Sequence, residues 1–165
     1  MEEVAIVNAE NKVIGKADRR VMREYRIPHR ATYIVIKNSS DLYYVQKRTA
    51  TKDYCPSKLD PVTGGVVSHL ESYKENAMRE LKEELGIDNK PLTYLDTFYY
   101  EDDTNRVFGG LFELETPYDG PLTLQPDEVE SVVMMTKDEI LSTKRDTITP
   151  DGLHAFKHYL TLKTQ

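Results

Sequence analysis

The chain holds a single cysteine, Cys55, which excludes an internal disulfide and agrees with a reducing compartment. No apolar run approaches the ~20 residues that a membrane-spanning helix needs. The opening residues, MEEVAIVNAE, lack the basic start and long apolar stretch of a secretory leader. These absences lead us to expect a cytoplasmic protein with no membrane partner. Positive charge is also short: 22 Lys and Arg face 28 Asp and Glu, a formal net charge of -6. That balance disfavours a general nucleic-acid binder, since a phosphate backbone selects clustered positive charge. Linkers, internal repeats and low-complexity tracts are missing as well, and 165 residues leave room for one core but not for two. The remaining composition, 39% hydrophobic and 30% charged, is that of a chain able to fold. The expectation is one domain over residues 1–165.

Val4 to Val7 and Lys12 to Lys16 read as short strands joined by Asn8-Ala9-Glu10-Asn11, and Asp18 to Tyr25 as a charged helix ended by Pro28. Ala31 to Lys37 is rich in β-branched residues and predicts a buried strand. Leu42 to Arg48 is its predicted hairpin partner across Asn38-Ser39-Ser40-Asp41. A polar loop, Thr49 to Lys58, leads to a short strand at Leu59 to Val62 and then to Gly64-Gly65. From Glu71 to Leu85 the apolar residues Ala77, Met78, Leu81 and Leu85 recur at helical spacing, with Gly86 placed to cap the end in the left-handed conformation. Further strands are expected at Leu92 to Tyr100, Val107 to Leu114 and Val129 to Met135. Thr136 should cap a helix running to about Leu141, and Thr149-Pro150-Asp151 should open a last one as a capped start with proline in its first turn. Irregular alternation of strands and helices, with hairpins, points to an α/β (α+β) fold whose mixed sheet is covered by helices.

The chemistry concentrates between Gly65 and Ile87, GVVSHLESYKENAMRELKEELGI. On a helix, Glu80, Glu83 and Glu84 lie three and four residues apart and share one face. Such packing of like charge is unfavourable without a cation. Several carboxylate oxygens with room for water and phosphate suit Mg²⁺, with Mn²⁺ as the alternative ion. Arg79 can fork onto a carboxylate, either Glu71 or Glu83, and so fix the ligands from behind. Gly64 and Gly65 let the backbone turn tightly and come close to a ligand. An isolated REXXEE would read as a solvated helical face of paired charges.

The whole segment is more specific. It matches G-x5-E-x7-R-E-U-x-E-E-x-G-U, with U a bulky aliphatic, at Gly65, Glu71, Arg79, Glu80, Leu81, Glu83, Glu84, Gly86 and Ile87. A chance match in a chain this long has odds on the order of one in ten million. The chain is therefore identified as a member of the Nudix hydrolase family, with the Nudix box at residues 65–87. The resemblance implies an α/β/α sandwich in which the box forms a strand-loop-helix unit. It also implies metal ligation by Glu80, Glu83 and Glu84, and attack of water on phosphorus in a small-molecule diphosphate, such as a nucleoside diphosphate linked to another group. In this scheme Glu83 and Glu84 are also candidates for the base, and Arg79 supports them. Glu128, in QPDEVESV, resembles the downstream acid that assists the water; Glu101 and Asp102 are alternatives. A homodimer is a further implication of the family.

Outside the box, AIVNAENKVIGKADR, HRATYIVI and YYVQKRTATKDYCPSKLDPVTGG resemble the branch related to type I isopentenyl-diphosphate isomerase, and the overall pattern is similar to the YfcD-like Nudix group of bacteria. The isomerase needs a cysteine where this chain has Gly64. Of its metal-binding histidines His29 matches one, whereas Met22 and Val66 stand at the others, and Thr104 and Arg106 fall near its two glutamates. The intact REXXEE makes the machinery hydrolytic. Arg48 and Lys52 do fall where the isomerase grips the diphosphate, so they are candidate phosphate ligands. None of the short flanking motifs for coenzyme A, NADH, ADP-ribose or dinucleoside polyphosphates is present, which leaves the substrate open.

Other candidates read more simply. His154 and His158 are i,i+4 without a third ligand, His69 is a loop histidine, and His29 can anchor the preceding turn by a hydrogen bond. Cys55 has no identifiable base beside it and reads as a free thiol. Arg19, Arg20, Arg23, Arg26 and Arg30 read as a solvated basic face.

Overall fold

Residues 2–165 are described by the computed structural model, and every expected strand and helix is present with its ends adjusted. In chain order these are β1 (Glu3–Val7), β2 (Val13–Asp18), α1 (Arg19–Glu24), β3 (His29–Val35), β4 (Tyr43–Arg48) and β5 (Leu59–Asp60). There follow α2 (Tyr73–Leu85), β6 (Leu92–Glu101), β7 (Arg106–Leu114), β8 (Val129–Met135), α3 (Lys137–Leu141) and α4 (Pro150–Lys163). One sheet has the order β2-β1-β3-β7-β6 and is mixed, with β3 and β7 parallel; the other has the order β5-β4-β8.

The predicted hairpin between β3 and β4 is the main correction. The turn itself forms, with Asn38 Oδ1 accepting from Ser40 N at 2.9 Å and Leu42 N at 3.0 Å. Pairing then stops almost at once, because both edges of β3 are taken. On one side β7 runs parallel to it over seven residue pairs. On the other, the segment entering the box adds its own bonds, Thr32 N to Gly65 O at 2.9 Å and Ile34 N to Thr63 O at 2.7 Å. The chain therefore leaves one sheet at Val35 and enters the other at Tyr43, opening a gap that the box entry lines.

Side-chain alternation along β3 builds the layers. Tyr33 and Val35 pack with Phe156 and Tyr159 of α4, while Ile34 and Ile36 pack with Ala77, Leu81 and Leu85 of α2. The result is a helix-sheet-helix sandwich, as the family resemblance implies. Helix α2 begins at Tyr73 rather than Glu71, because Ser72 and Glu75 form a capping box. Glu71 is thus free to turn back toward the helix. Gly86 ends α2 with φ 71° and ψ 17°, as expected. Met78, predicted on the apolar stripe, is instead 45% exposed; Asn76 and Glu84 take buried places on that face. At the last helix Pro150 occupies the first turn, but the Thr149 side chain makes no capping hydrogen bond, contrary to expectation.

Candidate active site

The box folds so that Gly65 lies against Glu80. A Cβ added at Gly65 would stand 2.7 Å from the Glu80 carboxyl carbon, so only glycine leaves that carboxylate its place. At Gly64 an added Cβ would run into the backbone carbonyl of Thr32. Both glycines line a cavity of about 210 Å³, as do Glu80, Glu83, Glu84, Arg79 and Glu128. The box strand, the helix and the loop before β8 thus converge on one space.

Arg79 organises the carboxylates. Its Nε and Nη2 donate to the two oxygens of Glu71 at 2.7 and 3.1 Å, and Nη1 donates to Glu83 at 3.0 Å. Nη1 also lies 3.2 Å from Glu80 Oε1. The two sequence alternatives for its partner, Glu71 and Glu83, are both taken. Against the desolvation of partial burial, hydrogen bonds from Arg79, Asn76 and Ser68 N hold Glu71 below the usual carboxylate range. Asn76 ties the unit together, donating to Val66 O and Glu71 while accepting from Thr32 at 2.5 Å. Sequence reasoning missed it; the signal was a lone asparagine beside the apolar positions of an otherwise charged helix.

Glu80 and Glu84 behave differently from Glu71. Burial pushes both carboxyl groups upward, and their mutual repulsion and the nearby Glu128 charge add to the rise at Glu84. Gln46 donates to Glu84 at 3.3 Å from inside the second sheet, and Lys52 opposes the rise with its charge. Among the described residues no group of three or more acidic, histidine or cysteine side chains stands close enough together to hold a metal ion. The donor types nevertheless suit a hard divalent cation: Glu84 is a buried carboxylate that the charge of the partly buried Glu80 destabilises, and Glu83, half exposed, stands one turn from Glu80.

Arg48 and Lys52 line the same cavity, but each already has partners. Arg48 donates from Nε and Nη2 to Tyr54 O at 3.0 and 2.8 Å, and Nη1 lies 3.7 Å from Asp60. Lys52 pairs with Glu128. Asp60 and Asp151, which sequence reasoning did not single out, form the acidic floor. Burial pushes Asp60 up to about 6, Arg48 opposing and Asp151 assisting, while Asp151 accepts from Tyr33 and Tyr54 at 2.8 and 3.0 Å. Glu101 and Asp102 lie away from the cavity, bonded to Arg26 and to Tyr100.

His29 does anchor its turn: Nδ1 donates to Ile27 O at 2.9 Å, and burial, reinforced by Arg23, pushes the ring down to about 4. Met22 and Val66, which stand where the isomerase has histidines, pack with Val4 in a small apolar cluster. Four of the five arginines are paired rather than solvated, against the sequence expectation, while Arg20 is exposed as that expectation had it. Arg19 pairs with Asp53 and Glu2, Arg26 with Glu101, and Arg30 with Asn11, while Arg23 stacks on Tyr54. His158 Nε2 meets Asp96 at 2.7 Å, with His154 against Phe98, so that pair has a packing role.

Comparison with known proteins bears on the family of the chain. The model of the NUDIX domain matches residues 27–158. An uncharacterized Nudix hydrolase of Yersinia pestis is 44% identical over 161 residues, covering 98% of this chain and 87% of that protein. The uncharacterized Nudix hydrolase YfcD of Escherichia coli (strain K12) is 46% identical over 154 residues, covering 93% and 84%. Among solved structures, DR0079 from Deinococcus radiodurans superposes with a TM-score of 0.74 at 25% identity, covering 86% of this chain and 87% of that one. A complete box, a sandwich fold and relatives matched along nearly their whole length have one reading: the chain belongs to the Nudix hydrolase family.

Proposed function

We propose that the protein is a Mg²⁺-dependent hydrolase of a diphosphate linkage in a small molecule, acting without nucleic acid or membrane as partner. The observation that carries the reading is the pair Glu80 and Glu84, one partly buried carboxylate and one buried, both raised by desolvation, beside Glu83 and Glu128 in one cavity. Glu80, Glu83 and Glu84 would hold the cation. When bound there, Mg²⁺, or Mn²⁺ in its place, would neutralise phosphate oxygens and lower the pKa of the attacking water. Arg79 acts as a positioning residue, releasing Glu83 and Glu80 toward the cation while keeping its forked grip on Glu71.

Water attacks phosphorus, the bridging P–O bond breaks, and the proton goes to a carboxylate. Glu128 supports that role best, since Lys52 fixes it at the cavity edge within the field of Glu80 and Glu84. Arg48 and Lys52 would meet phosphate oxygens by giving up part of their present bonds. The isomerase reading is not favoured: Gly64 replaces the cysteine, and Met22 and Val66 are apolar packing. A homodimer working in the cytoplasm completes the reading.

The test is a panel of small-molecule diphosphates assayed with Mg²⁺ and with EDTA, reading released phosphate or nucleotide. Hydrolysis in Mg²⁺, abolished by EDTA and reduced by orders of magnitude in folded Glu84→Gln, is expected. Full turnover in EDTA would sink the metal assignment.

A further inference from the structure

A long side chain such as Arg48 can turn through several rotamers, so it serves a phosphate only if something fixes which of its nitrogens faces the cavity. One backbone atom does this. Nε and Nη2 both donate to Tyr54 O, while Nη1, 3.7 Å from Asp60 Oδ2, lies beyond hydrogen-bond distance, so its donors remain for a ligand. The direction of the Tyr54 carbonyl therefore sets the direction of the guanidinium. That carbonyl belongs to the loop between β4 and β5, which contains no strand or helix. Two of its residues, Cys55 at φ 49° and Ser57 at φ 63°, stand in the left-handed region without being glycine. Such conformations persist only where the surroundings impose them.

What imposes this one comes from far along the chain. The Tyr54 hydroxyl donates to Asp151 Oδ1 at 3.0 Å, across 97 residues, and Tyr33 of β3 donates to the other oxygen at 2.8 Å. Asp151 is buried and stands in the first turn of α4, where the positive end of a helix favours a carboxylate. Burial first, and then the Asp151 charge, push both tyrosines upward, so both hydroxyls keep the protons they donate. The guanidinium of Arg23 lies over the Tyr54 ring at 4.7 Å. Tyr54 is thus held at its hydroxyl, its ring face and its carbonyl, and only the carbonyl touches a residue proposed to meet phosphate.

We propose that Tyr54 and Asp151 are positioning residues for the phosphate site: the carboxylate at the start of α4 holds the Tyr54 hydroxyl, and Tyr54 thereby presents the carbonyl that turns Nη1 of Arg48 into the cavity. Neither residue takes part in bond breaking. A loop that is merely packed would contribute the same stability with no link to Arg48, and that link separates the two accounts. The inference rests on the diphosphate reading of the site and adds which residues aim the cation that this reading gives to phosphate.

Binding without turnover tests it, together with one NMR signal. The full chain in Mg²⁺ is titrated calorimetrically with methylenediphosphonate. Tyr54→Phe removes only the hydroxyl and should weaken binding about three- to tenfold, the effect of one hydrogen bond, and Asp151→Ala should weaken it at least as much. In an Arg48→Ala background Tyr54→Phe should add less than about twofold, because the group it aims is gone. Tyr44→Phe, whose hydroxyl donates to Tyr118 O in the core beside α2, controls for the loss of a tyrosine hydroxyl and should bind like the parent. The Arg48 Nε–H resonance, assigned by its absence in Arg48→Lys, should shift and exchange its proton with water faster in Tyr54→Phe and in Asp151→Ala. Parental binding by folded Tyr54→Phe, the same loss with and without Arg48, or an unaltered resonance in both variants overturns the assignment. If the parent fails to bind methylenediphosphonate while the resonance responds as stated, the diphosphate reading fails and the positioning of Arg48 stands.

Discussion

Gly65 and Glu80 are fitted to each other: the hydrogen of the glycine occupies the one position from which a methyl group would reach the Glu80 carboxyl carbon at 2.7 Å. What Gly65→Ala would strike is the end of a flexible side chain, which can move. What Gly64→Ala would strike is the Thr32 carbonyl, part of the central strand β3, which cannot move cheaply. Gly65→Ala should therefore fold normally and lose activity, roughly a hundredfold for a misplaced ligand. Gly64→Ala should lose stability instead, by about 1–3 kcal/mol as for an overpacked core. Thermal unfolding and kcat measured on both variants check the contrast, and equal effects on both quantities would refute it.

Glu84 carries a stability cost that the proposed cation site would explain. Burial and the charge of Glu80 raise its carboxyl above the ordinary 4.5, so the fold resists ionising it. A group raised in this way adds nothing unfavourable while it is protonated, and it destabilises the fold increasingly as pH rises above the unfolded value. In EDTA, Glu84→Gln should be more stable than the parent at pH 8, by about 2–4 °C for each kcal/mol relieved in a chain of this size. The gap should close toward pH 5 and shrink when Mg²⁺ is added to the parent. Calorimetric scans at both pH values decide it; a variant less stable than the parent at pH 8 in EDTA would count against the account.

Arg48 has a structural task and, in the proposed reading, a phosphate to hold. Its fork holds Tyr54 O and its remaining nitrogen faces Asp60, a carboxyl already pushed up to about 6 by burial. Arg48→Ala should raise KM and lower kcat, together about ten- to a hundredfold in kcat/KM, the worth of one charge-assisted hydrogen bond. It should also destabilise the fold, because Asp60 loses the charge that opposes its burial. Arg48→Lys should recover stability better than kcat/KM, since a point charge faces Asp60 but cannot reproduce the planar fork. Steady-state kinetics beside urea unfolding separate the two tasks, and unchanged kcat/KM in Arg48→Ala would leave only the structural one.

The box was readable from spacing alone because its geometry is local: residues 80, 83 and 84 share a helical face whatever surrounds them. Gly86, a glycine in the left-handed region with φ 71°, is legible for the same reason. The separation of β3 from β4 was not, since it depends on which strand captures an edge, and β7 lies more than seventy residues away along the chain. Asp60 and Asp151 were hidden likewise. An aspartate in a short strand or in a first helical turn looks ordinary until distant elements close over it. The arginines erred in the opposite direction. Their density suggested solvation, while single acidic or amide partners, Asp53, Glu101 and Asn11, were waiting elsewhere in the chain.

Lys52 offers the last test, through pH. Its ammonium pairs with Glu128 and lowers the carboxyl of Glu84, opposing the rise that burial and Glu80 impose. Removing that charge should raise Glu84 further and free Glu128 to move. Protons compete with Mg²⁺ for carboxylate ligands, so a higher carboxyl value weakens cation binding on the acid side. In Lys52→Met the acid limb of the kcat/KM profile should therefore shift to higher pH, and more Mg²⁺ should be needed for half-maximal rate at pH 7 than in the parent. Both effects should fade toward pH 9, where the carboxylates are ionised in either protein, leaving a residual loss from the displaced Glu128. Lys52→Arg should restore the limb, since charge rather than hydrogen-bond geometry sets it. Rates measured from pH 5.5 to 9 at graded Mg²⁺ discriminate: a loss that is parallel at every pH would mean that Lys52 holds phosphate or packing alone and does not tune the glutamates.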